Sequence, residues 1–161
     1  MAQCVAFVGS NHPSASRFDL IWSAISNSEE VQELRVSSME RFLEDFDDGK
    51  RQRRYVDAEL PNLPFTDASF DLALCSHFLF LYTEQLSEDF HVAAIREMSR
   101  VAGEVRSFPL LALGGAPSRH VPKVSDRLRD EGLAVTIEAV PYELQRGGNQ
   151  MMRVQRRNRA T

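Results

Sequence analysis

The chain has 161 residues, 43% of them apolar, 26% charged and 9% aromatic, with a formal net charge of −4. A chain of this size and composition can fold around its own core without disulfides or metal. The mild negative charge argues against nucleic-acid binding, and no apolar run approaches the ~20 residues of a membrane span.

The two cysteines, Cys4 and Cys75, are too few for a disulfide framework and fit a reducing, cytoplasmic compartment. The opening residues lack the basic flank and length of a signal peptide. Residues 2–8 can form a short strand, and 9–14 read as a turn. Residues 28–46 carry a helical stripe of Val31, Leu34, Ser38, Phe42 and Phe46, with Met39 and Leu43 beside it and Ser28 as a cap. Asp47, Asp48 and Gly49 close that helix, and the basic run 50–54 reads as a solvated turn. A strand is expected near Arg54, Tyr55 and Val56, before Pro61 and Pro64 force an extended connection.

Residues 70–81 are nearly all apolar and read as a strand buried on both faces. The amphipathic stretch 86–102 predicts a helix capped by Ser87, with Gly103 just past its end. A strand over 104–113, a short helix over 122–131 and a strand over 134–140 follow, and a turn at 146–149 leads to a last strand over 150–154. This order predicts an α/β domain with a mostly parallel sheet, a C-terminal antiparallel hairpin and helices on both faces. The expected organisation is an irregular segment 1–27, the α/β domain 28–154 and a basic tail 155–161, read as a solvated terminus.

The stretch Leu63-Pro64-Phe65-Thr66-Asp67-Ala68-Ser69-Phe70-Asp71-Leu72-Ala73 resembles the segment joining the third and fourth strands of class I S-adenosylmethionine-dependent methyltransferases. Arg96-Glu97-Met98-Ser99-Arg100-Val101 resembles the helix that leads into that family's fifth strand. The resemblance spans about 18–154 and extends to Cys75–Tyr82 and Pro141–Asn149. It implies a partial Rossmann-like methyltransferase sheet whose last strand is antiparallel. The family's acidic-x-Gly-x-Gly segment has no counterpart: Gly9 is the one early glycine, and Gly-x-Gly occurs nowhere. The chain thus resembles a truncated core, lacking the first two strands and the helix between them.

The resemblance implies S-adenosylmethionine as cofactor, either bound or lost with the glycine-rich loop. Glu59, four residues before Leu63, stands where the family places the acid that accepts from the adenine amino group; Leu60 would offer its amide, and Asp57 is the fallback. The competing reading of Glu59 is a surface carboxylate in a proline-rich loop. Ser76 and His77 stand where the family lines the methionine end of the cofactor and the substrate, and His77 suits a catalytic base. A core histidine with satisfied hydrogen bonds is the alternative, and the reading preferred for His91. Tyr142, Arg146 and Asn149 form a candidate substrate-binding cluster, against a plain hairpin turn built on Gly147 and Gly148. Histidines and cysteines show no metal-ligand spacing.

Two functions follow. One is methyl transfer to a small-molecule or otherwise unidentified acceptor. The other is a catalytically silent fold, inactive or acting as a partner subunit. A sheet lacking strands beside Tyr55 would expose an edge on which a second copy could pair.

Overall fold

A computed structural model describes residues 5–8, 28–143 and 146–156. Its elements are β1 (Val5–Val8), α1 (Ser28–Arg51), β2 (Phe70–Ser76), α2 (Glu88–Val101), β3 (Ala102–Phe108), α3 (Val121–Asp130), β4 (Leu133–Ala139) and β5 (Gln150–Arg156). They divide into two compact units, one holding 5–8 and 59–156 and the other 28–58. The turn expected at 9–14, with Cys4 and the residues beyond 156, lies outside the described residues.

In the first unit the sheet runs β1-β2-β3-β5-β4. β2 and β3 are parallel, whereas β5 is antiparallel to both β3 and β4. β2, β3 and β4 therefore point one way, and β4 with β5 makes the expected C-terminal hairpin. This is a mixed α/β sheet, with the parallel pair and the C-terminal antiparallel hairpin that the order of elements predicts. β1 adds an antiparallel edge, with Val5 opposite Cys75 and Val8 opposite Leu72.

Strand alternation decides which face is dry. Ala73, Val105, Val154 and Val135 are paired across four neighbouring strands, and all are buried. α2 packs on β2, β3 and β5, α3 packs on β4, and the two helices touch each other. Ile95, Met98, Val124 and Leu128 supply the helical side of that core. α2 starts where Ser87 caps it, its Oγ accepting from the Phe90 amide at 3.1 Å.

On the other face, Arg106 and Arg153 lie side by side across β3 and β5. Like charges there are unfavourable. Glu104 resolves the conflict: its carboxylate accepts from Arg106 Nε at 2.6 Å, Arg153 Nη2 at 2.8 Å and Gln155 Nε2 at 2.6 Å. Burial pushes its pKa up, but the bonds from Arg153 and Arg106 outweigh burial and hold it below the usual glutamate range.

Three expected boundaries move. The strand expected over 70–81 stops at Ser76, because His77 turns to φ 53° and its amide bonds to the Phe108 carbonyl at 2.7 Å. Phe78, Leu79 and Phe80 stay buried but leave the sheet, entering a 3-10 turn at Phe80–Tyr82. The strand expected over 104–113 runs instead from Ala102 to Phe108, so Gly103 lies inside it rather than beyond a helix end. It stops at Pro109, which has no amide to donate. No strand forms at 54–56.

The second unit explains that last difference. α1 continues to Arg51 rather than ending near Phe46. The amides of Arg54 and Tyr55 both bond to the Gly49 carbonyl, at 2.8 and 3.2 Å, so the chain folds back on the helix. The Tyr55 hydroxyl donates to Asp45 at 2.7 Å, and its ring lies 5.2 Å from that of Phe42. Arg54 and Tyr55 together lower the Asp45 pKa to about 2. Most of the expected apolar stripe is not covered: Leu34, Met39, Phe42, Leu43 and Phe46 are exposed.

Two substitutions test these contacts. Glu104→Gln removes the charge that separates two arginines and should destabilise the fold by about 1–3 kcal/mol at neutral pH in urea denaturation. A depressed carboxylate contributes above its unfolded value and loses that contribution on acidification. The difference between variant and wild type should therefore shrink below pH 4.5. Gly49→Ala, normally stabilising inside a helix by ~1 kcal/mol, would drive its new methyl into the Tyr55 ring. It should lower the thermal midpoint in the wild-type background and raise it in Tyr55→Ala; a rise in both would remove the packing argument.

Candidate functional site

Because β2 and β3 are parallel and in register, Ser76 lies opposite Phe108 and both strands end at the same edge. Ligands of open α/β sheets bind at the carboxyl ends of strands. Here the Ser76 hydroxyl lies 2.7 Å from His77 Nδ1. The His77 ring stands edge-on to Phe108 with centroids 5.7 Å apart, and Phe108 lies 5.5 Å from Tyr142. The structure thus joins Ser76, His77 and Tyr142 through Phe108. Sequence reading placed Phe108 only in a strand; the proline after it was the signal that this ring ends the strand.

Two loops floor this edge, and buried hydroxyls tie them together. Thr83 and Ser118 share a 2.6 Å hydrogen bond, and the Thr83 carbonyl lies 3.2 Å from His120 Nε2. His91 is buried beside them, with Nδ1 2.8 Å from the Ser87 carbonyl and Nε2 2.9 Å from that of Leu79. It is the core histidine expected. Burial pushes its pKa below the ordinary 6.5, opposed by both carbonyls and by Glu88, and reinforced by His120.

Glu59 and Leu60 enter a tight turn closed by the Asn62 amide on the Glu59 carbonyl at 2.9 Å. Leu60 is buried in the same cluster as Phe78 and Leu79, whereas Glu59 is exposed. Asp57 is exposed and belongs to the second unit. After this turn the loop is gripped from α2: Glu97 accepts from the Leu63 amide at 2.8 Å, and Arg100 donates to the Phe65 carbonyl at 2.9 Å.

Arg146 and Asn149 sit exposed in the β4–β5 hairpin, Arg146 in its turn and Asn149 just before β5. Gly147 takes φ 81° there, and its amide donates to the Glu143 carboxylate. The Asn149 carbonyl accepts from Val140 at 2.8 Å. These are bonds that a hairpin turn requires. Among the described residues, no three His, Cys, Asp or Glu side chains converge as metal ligands. No helix among them is long and apolar enough to cross a membrane.

Residues 28–104 match the family model described as a methyltransferase domain. The chain is also 30% identical over 135 residues to an uncharacterized protein of Methanocaldococcus jannaschii, an alignment covering 84% of this chain. The chain spans 58% of that relative's length. No solved structure matches it significantly.

The buried imidazole gives this site a testable acid response. A histidine depressed in the folded state takes up protons more readily when unfolded, so stability falls as pH drops below 6.5. The thermal midpoint should be lower at about pH 5.5 than at about pH 7.5, and His91→Gln should flatten that slope while lowering stability overall. An unchanged slope in the variant would assign the acid sensitivity to other groups.

Proposed function

We propose that this chain, whose residues 28–104 match the methyltransferase domain model, binds S-adenosylmethionine and transfers the methyl group to a small-molecule acceptor. The observation that carries this reading is the convergence of Ser76, His77, Phe108 and Tyr142 at the carboxyl edge of a parallel strand pair. The Glu59–Leu60 turn is rooted in the same core.

The residues suit the two ends of such a cofactor. Glu59 offers an exposed acceptor for an amino group, with Leu60 beside it and Asp57 as the alternative acid; Ser76 stands at the other end. Bound there, the cofactor supplies a methyl group already activated on a sulfonium. The protein's part is then to position, exclude water and manage a proton. His77 is the group for the proton. With Nδ1–H donated to Ser76 Oγ, Nε2 carries the lone pair and can take a proton from the acceptor as it is methylated. Phe108 stands edge-on to the His77 ring, and Tyr142 packs on Phe108 in turn. Arg146 would meet an acidic substrate group and Asn149 a carbonyl or amide. A cytoplasmic setting fits the cysteine content.

The missing Gly-x-Gly favours a second reading. A chain unable to hold the middle of the cofactor would be a silent fold, working as a partner subunit or pairing with a second copy through a sheet edge.

Calorimetry with S-adenosylmethionine separates the two. The methyl-transfer reading expects micromolar binding, weakened about tenfold or more in Glu59→Ala by loss of a charge-assisted hydrogen bond. Binding in the wild type that Glu59→Ala leaves unchanged would transfer the adenine contact to Asp57. No binding at all would establish the silent fold.

A further inference from the structure

We propose that Arg100 and Glu97 of α2 are positioning residues that hold the Glu59–Leu60 turn in its adenine-reading shape. This rests on the cofactor reading above and deepens it by naming what sets that end of the site. The loop 59–69 contains neither helix nor strand and carries Pro61 and Pro64, so its own backbone supplies little of its hydrogen bonding. Two side chains from one helix supply it instead.

The Arg100 guanidinium grips Glu97 with two bonds, Nε to Oε2 at 2.9 Å and Nη2 to Oε1 at 2.7 Å. Its remaining donors turn to the loop. Nη1 reaches the Phe65 carbonyl at 2.9 Å and Asp67 Oδ1 at 2.7 Å, and Nη2 reaches the Leu63 carbonyl at 3.3 Å. Glu97 Oε1 accepts from the Leu63 amide at 2.8 Å, so both polar groups of Leu63 are held by this pair. The Arg100 backbone carbonyl takes the Ala68 amide at 2.9 Å, where Ala68 adopts φ 53°.

The helix end that bears this grip is itself anchored. Arg156 of β5 donates to the carbonyls of Ser99 and Arg100, at 3.0 and 2.8 Å from Nη2. Leu63 thus has its backbone fixed relative to the sheet, and the turn that opens at Glu59 ends one residue before it, at Asn62. A planar five-donor fork is needed for this pattern, and a lysine in its place has one ammonium for at least three separated acceptors.

Two variants and a control test the proposal. Arg100→Lys keeps the charge, and Glu97→Gln keeps the shape of the carboxylate. Arg96→Lys disturbs a different ion pair on the same helix, with Glu131. Hydrogen exchange on the full chain should show the Leu63 and Ala68 amides exchanging at least about tenfold faster in the first two variants, with amides in the middle of α2 unchanged. Calorimetry would use S-adenosylhomocysteine and its counterpart bearing hypoxanthine, which lacks the amino group that an acid can accept from. The wild type should prefer adenine by about tenfold, the worth of one charge-assisted hydrogen bond. Arg100→Lys and Glu97→Gln should reduce that preference to within about twofold, and Arg96→Lys should keep it.

If the preference survives in both variants, or affinity for both nucleosides falls by the same factor, the pair is structural only and the proposal is overturned while the cofactor reading stands. Unchanged exchange at Leu63 and Ala68 overturns it as well. If the wild type binds neither nucleoside, the cofactor reading itself has failed and the proposal goes with it.

Discussion

The parallel register of β2 and β3 is the constraint from which the candidate site follows. With Ser76 opposite Phe108, any residue leaving either strand emerges at one edge. The His77 amide then bonds to the Phe108 carbonyl, which extends the ladder by one step and turns the histidine outward. A one-residue slip would send Ser76 to the dry face and a core residue to the site, since alternate strand positions face opposite ways. The buried row Ala73, Val105, Val154 and Val135 resists such a slip, because every strand in the row would have to expose an apolar side chain. Core burial and site geometry therefore depend on the same register.

The two sheet faces achieve stability by different means. Beneath α2 and α3 the contacts are apolar, and hydrophobic area sets their value. On the far face, the Glu104 carboxylate is shared among Arg106, Arg153 and Gln155. The half-burial of this cluster makes the carboxylate necessary: without it, two guanidinium groups would adjoin where solvent screens them poorly. α2 combines both roles. Its inner residues Ile95 and Met98 fill the core, while Glu97 and Arg100 organise a loop that has no regular structure of its own.

Regular elements were the most legible part of the chain. The Ser87 cap, the α2 pattern, the short helix before Gly132 and the terminal hairpin are local signals, and each appears within two or three residues of its expected place. The run 70–81 was harder, because continuous apolar sequence records burial without recording conformation. Its first half is strand and its second half is buried loop, and the switch depends on a long-range bond from His77 to Phe108. Ser76, His77 and Tyr142 could be picked out by position, but their convergence through Phe108 could not, since it joins the ends of three separate segments. Around Arg146 and Asn149 the hairpin turn carries its own hydrogen bonds, from the Gly147 and Val140 amides.

The segment after α1 shows how a weak signal loses to local chemistry. Arg54, Tyr55 and Val56 have strand-forming character, but a strand needs a neighbour to take its backbone bonds. Gly49 offers a nearer solution. Its carbonyl receives two amides, and its missing side chain leaves room for the Tyr55 ring, while Asp45 captures the hydroxyl. The same helix shows the limit of periodicity. A stripe at helical spacing states which residues one surface can cover together, and says nothing about whether that surface is covered. Phe42 and Phe46 find Tyr55 yet stay exposed, as do Val36, Met39 and Leu43. Helical spacing is thus evidence for the helix, and burial has to be established from the partner.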